Sequence, residues 1–553
     1  MTPNRPFAPF TRRDFLKHGS AFTASGVLLL EELRAQGANS VTAETTYGKI
    51  RGVDNNGIKT FKGIPYGAST TGLNRFMAPV EPANWTGVRD ALEYGHSAPQ
   101  RDPAAPPRTP GALSISGEKL PAEGEDCLVL NVWTPAVGAN ASNGRKRPVM
   151  FWCHGGGFAT GSGSSPDNDG TNLARRGDVV VVTVNHRLNV LGFGNLSEFS
   201  TDFAASGDAG MLDIVQALKW VRANISQFGG DANLVTIFGQ SGGGRKVETL
   251  LAMPSAKGLF HRAIIESGAA IKVVDRDVAV RDSERLLAKL GIEKTNIREL
   301  QSLPVEKIMA AYFAVMKEDP GADQSIVGFS PTVDGKILPQ HPFHPNASPV
   351  SADVPVMIGC TRTEMTLFSL NDSSAFTLND EAMRARVKDL LGGQAPGIID
   401  LYRKLNAGAS PSDIYFLIAS DYRYGAPTMK IAERRAALGK APVYLYYFTW
   451  ETPVLGGRLK SPHTMEIPFA FDNVKISSRL TGGGADAMAL ADKVSDAWIA
   501  FARSGNPNTP KLPHWPALNA QERPTMVIDN VSKMVNDPLR EQRIAMFQAM
   551  GLV

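Results

Sequence analysis

An apolar run, Leu234-Val235-Thr236-Ile237-Phe238, passes directly into Gly239-Gln240-Ser241-Gly242-Gly243, and a helix-forming stretch from Val247 to Met253 follows. This junction constrains the fold more than any other part of the chain. A strand has to become a helix within a few residues, and the turn centres on a serine. Such a turn strains the serine backbone and leaves room only for tiny neighbours, which the glycines supply. The result is a hydroxyl held out where a base can reach it. Gly-x-Ser-x-Gly alone is common in glycine-rich turns. The strand before it and the helix after it carry the reading.

A second glycine motif completes half of a catalytic centre. His154-Gly155-Gly156-Gly157-Phe158 follows another apolar strand, Val149-Met150-Phe151-Trp152. Consecutive glycines let backbone N–H groups approach a ligand without side-chain obstruction. Such groups stabilise the oxyanion of a tetrahedral intermediate, and losing one donor costs about 10²–10³ in rate. The pairing of H-G-G-G with a later G-x-S-x-G is characteristic of lipase/esterase-type hydrolases.

A serine hydroxyl is a poor nucleophile without a base, and the base needs an anion to fix its tautomer. In α/β-hydrolases the order along the chain is Ser, acid, His. The strand-like Val354-Pro355-Val356-Met357-Ile358-Gly359 precedes Glu364, while Asp353, Asp372 and Glu381 compete by proximity. After Glu364 only His463 and His514 remain. His514 lies in a proline-bounded turn, so His463 is the favoured base.

With these motifs in place, the chain resembles type B carboxylesterases, the family of cholinesterases, bacterial para-nitrobenzyl esterases and the non-catalytic neuroligins. The likeness runs from about Val41 to the C-terminus. It includes Glu125-Asp126-Cys127-Leu128-Val129-Leu130-Asn131-Val132, Phe228-Gly229-Gly230-Asp231-Ala232-Asn233 and Pro331-Thr332-Val333-Asp334-Gly335. The resemblance implies Ser241 as acyl-ester nucleophile, Glu364 as acid and His463 as base. It implies oxyanion donors at the backbone N–H of Gly156, Gly157 and Gly242, and a supporting role for Ser267. It implies hydrolysis of small-molecule carboxylic esters, without a metal or organic cofactor. The same triad serves amides, carbamates and lipids, so those remain open. A binding protein without catalysis is the other class, although all three triad positions are filled here.

Two departures stand out. Many members carry Glu before the nucleophile and Ala after it; here Gln240 and Gly242 stand there. A neutral Gln240 removes a negative charge and argues against a choline-like cation. Arg245 and Lys246 open the following helix, where positive charge is mildly unfavourable. They are expected to face solvent or a carboxylate, with an anionic substrate as the other reading. The family's usual upstream cysteine is replaced in Ala98-Pro99-Gln100, so Cys127, Cys153 and Cys360 are expected to be free and buried. Prolines at 103, 106, 107 and 110 limit the freedom of the unstapled loop instead. No C-x-x-C spacing suggests zinc.

At the N-terminus, Thr11-Arg12-Arg13-Asp14-Phe15-Leu16-Lys17 resembles a twin-arginine export motif. The apolar stretch from Ala21 to Leu30 is shorter than the ~20 residues a bilayer needs. Residues 1–39 are therefore read as a cleaved signal peptide engaging the twin-arginine export machinery, and 40–553 as one hydrolase domain. This implies a bacterial periplasmic or secreted protein without stable membrane insertion. The formal charge of +4 halves once the five basic and three acidic groups of residues 1–35 are removed, which gives no case for nucleic acid.

The expected fold class is α/β: an α/β-hydrolase fold with a large, mostly parallel central sheet flanked by helices. Val179–Val184 reads as a buried central strand. Met211, Leu212, Val215, Leu218, Val221 and Ile225 recur at helical spacing. An antiparallel edge is expected over Val41 to Tyr66. Helical cap or pocket insertions are expected over Val273–Pro345 and Leu370–Pro442.

Overall fold

A computed structural model describes residues 39–105, 122–138, 141, 144, 147–318 and 328–552. The export motif, its apolar stretch and prolines 106, 107 and 110 lie outside the described residues. Thirteen strands form one sheet among the described residues. They are β1 (Ser40–Thr45), β2 (Gly48–Asn55), β3 (Ile58–Pro65), β4 (Val88–Asp90), β5 (Val129–Thr134), β6 (Arg147–Cys153) and β7 (Val180–Val184). Then follow β8 (Gly230–Gln240), β9 (Arg262–Glu266), β10 (Val356–Thr361), β11 (Val443–Phe448), β12 (Pro524–Ile528) and β13 (Lys533–Asn536).

The spatial order is β1-β2-β3-β5-β7-β6-β8-β9-β10-β11-β12-β13, with β4 paired to β2. From β7 to β12 every pairing is parallel. The N-terminal strands β1 to β3 pair antiparallel, as their alternating pattern predicts.

Central strands are apolar on both faces because both are covered. On β6, Val149, Phe151 and Cys153 enter one core while Met150 and Trp152 enter the other. The period-2 side-chain alternation assigns residues to each face. Helix α1 (Ala209–Asn224) buries Met211, Ile214, Val215, Leu218 and Val221 in the first core. Helix α6 (Ala485–Ser504) packs Val494, Trp498 and Phe501 in the second. Between them in sequence lie α2 (Gly242–Leu250), α3 (Arg276–Leu290), α4 (Val305–Glu318) and α5 (Ala426–Ala436), the last three falling in the expected helical insertions. No described helix is long and apolar enough to cross a membrane.

Candidate active site

The parallel strands all end on the same side of the sheet, and the predicted site residues lie at or beyond such ends, with Gln240 closing β8. Ser241 follows β8, His154 to Gly157 follow β6, Ser267 follows β9, Glu364 follows β10, and His463 lies on the connection after β11. Ligand sites in open parallel sheets form at these carboxyl ends.

Ser241 occupies φ 59°, ψ −123°, a conformation that a residue with a side chain rarely adopts. Its N–H donates to Glu266 O at 2.8 Å, which ties the turn to the neighbouring strand. The flanking glycines are forced by contact. A Cβ on Gly243 would lie 2.0 Å from Cys153 O, and one on Gly242 would lie 2.2 Å from Gly157 O. The elbow helix α2 therefore lies directly on the start of the glycine loop. Gly156 and Gly157 have φ of +88° and +63°, and a Cβ on Gly155 would stand 3.6 Å from Ser241 Cβ. The predicted oxyanion donors Gly156, Gly157 and Gly242 thus share one small region with the nucleophile.

Glu364 and His463 are buried and joined by a hydrogen bond from His463 Nδ1 to Glu364 Oε2. The other carboxylate oxygen accepts from Thr361 N–H at 2.8 Å and from Ser267 Oγ at 2.7 Å. Ser461 and Thr363 stitch the two loops together: Thr363 N–H donates to Ser461 O at 3.0 Å, and Ser461 N–H to Thr363 Oγ1 at 2.9 Å. The imidazole packs against Phe368 and Tyr424, with ring centroids 4.9 and 4.8 Å away, and those two rings stack on each other at 6.3 Å. Tyr424 reaches it from a single π-helical turn, Asp421–Gly425. Gln240 places Nε2 3.3 Å from both ring nitrogens, so a neutral amide covers the base. The competing residues lie elsewhere: Asp353, Glu381 and His514 are exposed, and Asp372 is half-buried and paired with Arg386 at 2.8 Å.

Motif reading missed three further groups. Glu466 Oε1 lies 2.8 Å from Ser267 Oγ, which also bonds Glu364. One hydroxyl hydrogen serves one acceptor. Burial, then the nearby Glu364 and Glu266, push the Glu466 carboxyl well above the usual range, which favours a protonated form able to donate to Ser267. Ser267 in turn donates to Glu364. Glu266 is pushed up to about 7 by burial, offset in part by the hydrogen bond from Trp498 Nε1 at 2.7 Å. Lys246 Nζ donates to His154 O at 2.8 Å, and burial pulls it down to about 7. A cue existed only for Glu466, three residues after His463.

Arg245 and Lys246, expected to face solvent or a carboxylate, do not face solvent; Arg245 lies near the Glu248 carboxyl. Both are buried, because every residue of α2 packs between the sheet and the loops above it. Arg245 Nε donates to Gly268 O at 2.9 Å. The three cysteines are free and buried, with Cys153 pushed up to about 12 by burial.

The chain as a whole is similar to known proteins. The Carboxylesterase family model matches residues 39–547. The chain is 37% identical over 511 residues to the para-nitrobenzyl esterase of Bacillus subtilis, covering 92% of this chain and 98% of that protein. It is 33% identical to the phenmedipham hydrolase of Pseudarthrobacter oxydans, over 91% of this chain and 98% of that one. A solved carboxylesterase from Geobacillus stearothermophilus matches with a TM-score of 0.77 at 36% identity, covering 91% and 99% of the two chains. The chain belongs to the carboxylesterase family and is a carboxylic ester hydrolase of type B with an α/β-hydrolase fold.

Proposed function

We propose that ester hydrolysis proceeds by two acyl transfers through Ser241. His463 removes the Ser241 proton as Oγ attacks the ester carbonyl, while the Gly156, Gly157 and Gly242 N–H groups receive the oxyanion. His463 then protonates the departing alcohol, and water repeats the sequence on the acyl-enzyme. Glu364 orients the imidazole and stabilises its charged form. The observation that carries this reading is the buried Glu364–His463 hydrogen bond, its carboxylate fixed by Thr361 and Ser267 beside a strained serine elbow.

The test is turnover of para-nitrophenyl esters of increasing acyl length by the wild type and Ser241→Ala. The variant is expected to lose about 10⁴-fold or more in kcat. Unchanged turnover in Ser241→Ala would refute the assignment. A rate peak at short acyl chains marks a carboxylesterase pocket, whereas a peak at long chains marks a lipase. Matched anilides and carbamates rank the other bonds open to the same triad.

The basic N-terminal motif supports export of the folded chain through the twin-arginine pathway. Replacing Arg12 and Arg13 together by lysine is expected to leave esterase activity inside a bacterial host. Undiminished activity in the periplasm of that double variant would sink the export reading.

A further inference from the structure

Lys246, on the elbow helix α2, is fully enclosed, and no carboxylate pairs with it among the described residues. Two rules of stability are broken at once. A buried ammonium without a counter-ion is costly, and positive charge early in a helix is mildly unfavourable. Chains break local rules in this way where a site requires it.

The contacts show what is required. Lys246 Nζ donates to His154 O at 2.8 Å and stands 5.8 Å from the centre of the Phe158 ring, within cation–π range. His154 and Phe158 flank Gly155-Gly156-Gly157, so one side chain grips both ends of the glycine loop. Gly156 and Gly157 sit at φ of +88° and +63°, and glycine has more backbone freedom to lose than any other residue. A run of three therefore depends on its ends being held. The peptide whose carbonyl Lys246 holds also carries the Gly155 N–H. A Cβ on Gly155 would lie 3.6 Å from Ser241 Cβ, so the held peptide lies against the nucleophile.

The groups facing the ammonium supply no negative charge. Burial pulls Lys246 down to about 7, opposed only by Cys153 at the end of β6, whose own thiol is pushed up to about 12. His154 and His186 stack with centroids 5.0 Å apart. Their Nδ1–H groups donate to Gly155 O at 2.8 Å and Arg187 O at 2.7 Å. Burial, then Lys246, pulls both rings well below the ordinary imidazole value, which favours their neutral forms. Arg187 beyond them is paired with Asp213 at 2.6 Å. On α2 itself, Arg245 turns to Gly268 O and Glu248 accepts from Ala270 N–H. An ammonium that meets no anion in the resting enzyme gains most when negative charge develops close by, as it does at the oxyanion.

We propose that Lys246 is the positioning residue of the oxyanion loop: its ammonium clamps His154 and Phe158 around the three glycines, and loss of its proton loosens the clamp. The inference rests on Ser241 being the nucleophile and on Gly156 and Gly157 being oxyanion donors. A neutral amine still donates to His154 O but loses its attraction to the Phe158 ring, so activity falls to a lower plateau, not to zero.

The experiment measures para-nitrophenyl butyrate turnover per phosphonate-titrated site, from about pH 5 to about pH 10. Wild-type kcat is expected to fall about fivefold as pH rises through about 7. Lys246→Met should lack this fall and run about tenfold below the acid-side wild type, with KM changed less than about twofold. Its inhibition constant for a trifluoromethyl ketone, which forms an oxyanion adduct with the serine, should rise about tenfold. Lys246→Arg, charged at every pH tested, should keep the higher kcat throughout, and Lys219→Gln, an exposed lysine on α1, should fall as the wild type does. Warming should move the wild-type fall to lower pH, as it does for an amine; a carboxyl such as that of Glu266 would barely move, and this arm needs no variant. A wild type without the fall, a fall that ignores temperature or survives Lys246→Met, or unchanged kcat and ketone inhibition in Lys246→Met overturns the inference. Full activity in Ser241→Ala would instead refute the nucleophile assignment on which the clamp rests.

Discussion

Lys246 joins catalysis to stability in one side chain. Its ammonium holds His154 O, the carbonyl that begins the glycine loop, yet burial favours its neutral form. Lys246→Met should therefore lower kcat about tenfold with KM little changed, because the loop loses its anchor but keeps its own N–H groups. The folded value of Lys246 is depressed to about 7 from 10.5, so the native state binds fewer protons than the unfolded state between those limits. Wild-type stability then rises with pH across that window, and Lys246→Met lacks this rise. Denaturant unfolding should show the variant's stability relative to wild type declining from pH 7 to pH 10; a constant difference contradicts it. Glu266 behaves in the opposite sense. Its value is raised from 4.5 to about 7, so wild-type stability falls as pH rises from 4.5 to 7, and the loss persists above 7. Glu266→Gln keeps an acceptor for Trp498 and should gain about 3 kcal/mol on the wild type between pH 4.5 and 8. Ser241 and His463 were legible because motif and chain order leave few alternatives. Lys246 and Glu266 were not, because one sequence carries no sign of which charged side chains are buried.

At the scale of elements, the elbow works because α2 touches the end of β6. The contact is so close that Gly243→Ala would drive a methyl against Cys153 O. That substitution is expected to destabilise the protein by about 2–4 kcal/mol and to reduce soluble yield, read by thermal unfolding. An unchanged Tm would mean that α2 does not lie on β6 as described. The strands were legible wherever both faces are buried, since apolar runs such as Val179–Val184 have no other use. Their limits moved by a residue or two: the run read from Val354 became β10, Val356–Thr361. The helix read as Val247 to Met253 begins earlier, at Gly242. Three glycines disguise its first turn, and their packing against neighbouring backbone, unseen in sequence, compensates for their low helix propensity. The single π-helical turn that brings Tyr424 to His463 has no signature in the residues at all.

Across the whole molecule, the sheet separates two cores and gathers four strand ends with the connection after β11 into one site. That convergence explains why site residues are spread along the chain from Gly156 to His463. The described fold opens with β1 at Ser40, so a chain starting at residue 39 is expected to match the full chain in kcat and Tm. A large loss of either would place residues 1–38 within the working enzyme. The fold class was legible from the order of motifs, whereas the packing of Phe368 and Tyr424 on His463 was not, since the three rings come from separate segments of the chain. The central claim is that Ser241, activated by His463 and Glu364, is the nucleophile. It is tested most directly by treating the protein with a para-nitrophenyl phosphonate and locating the adduct by peptide mass spectrometry. The account predicts one adduct per chain, on Ser241, formed in step with loss of esterase activity and greatly slowed in Glu364→Gln. An adduct on another residue, or full activity in protein labelled at Ser241, would contradict it.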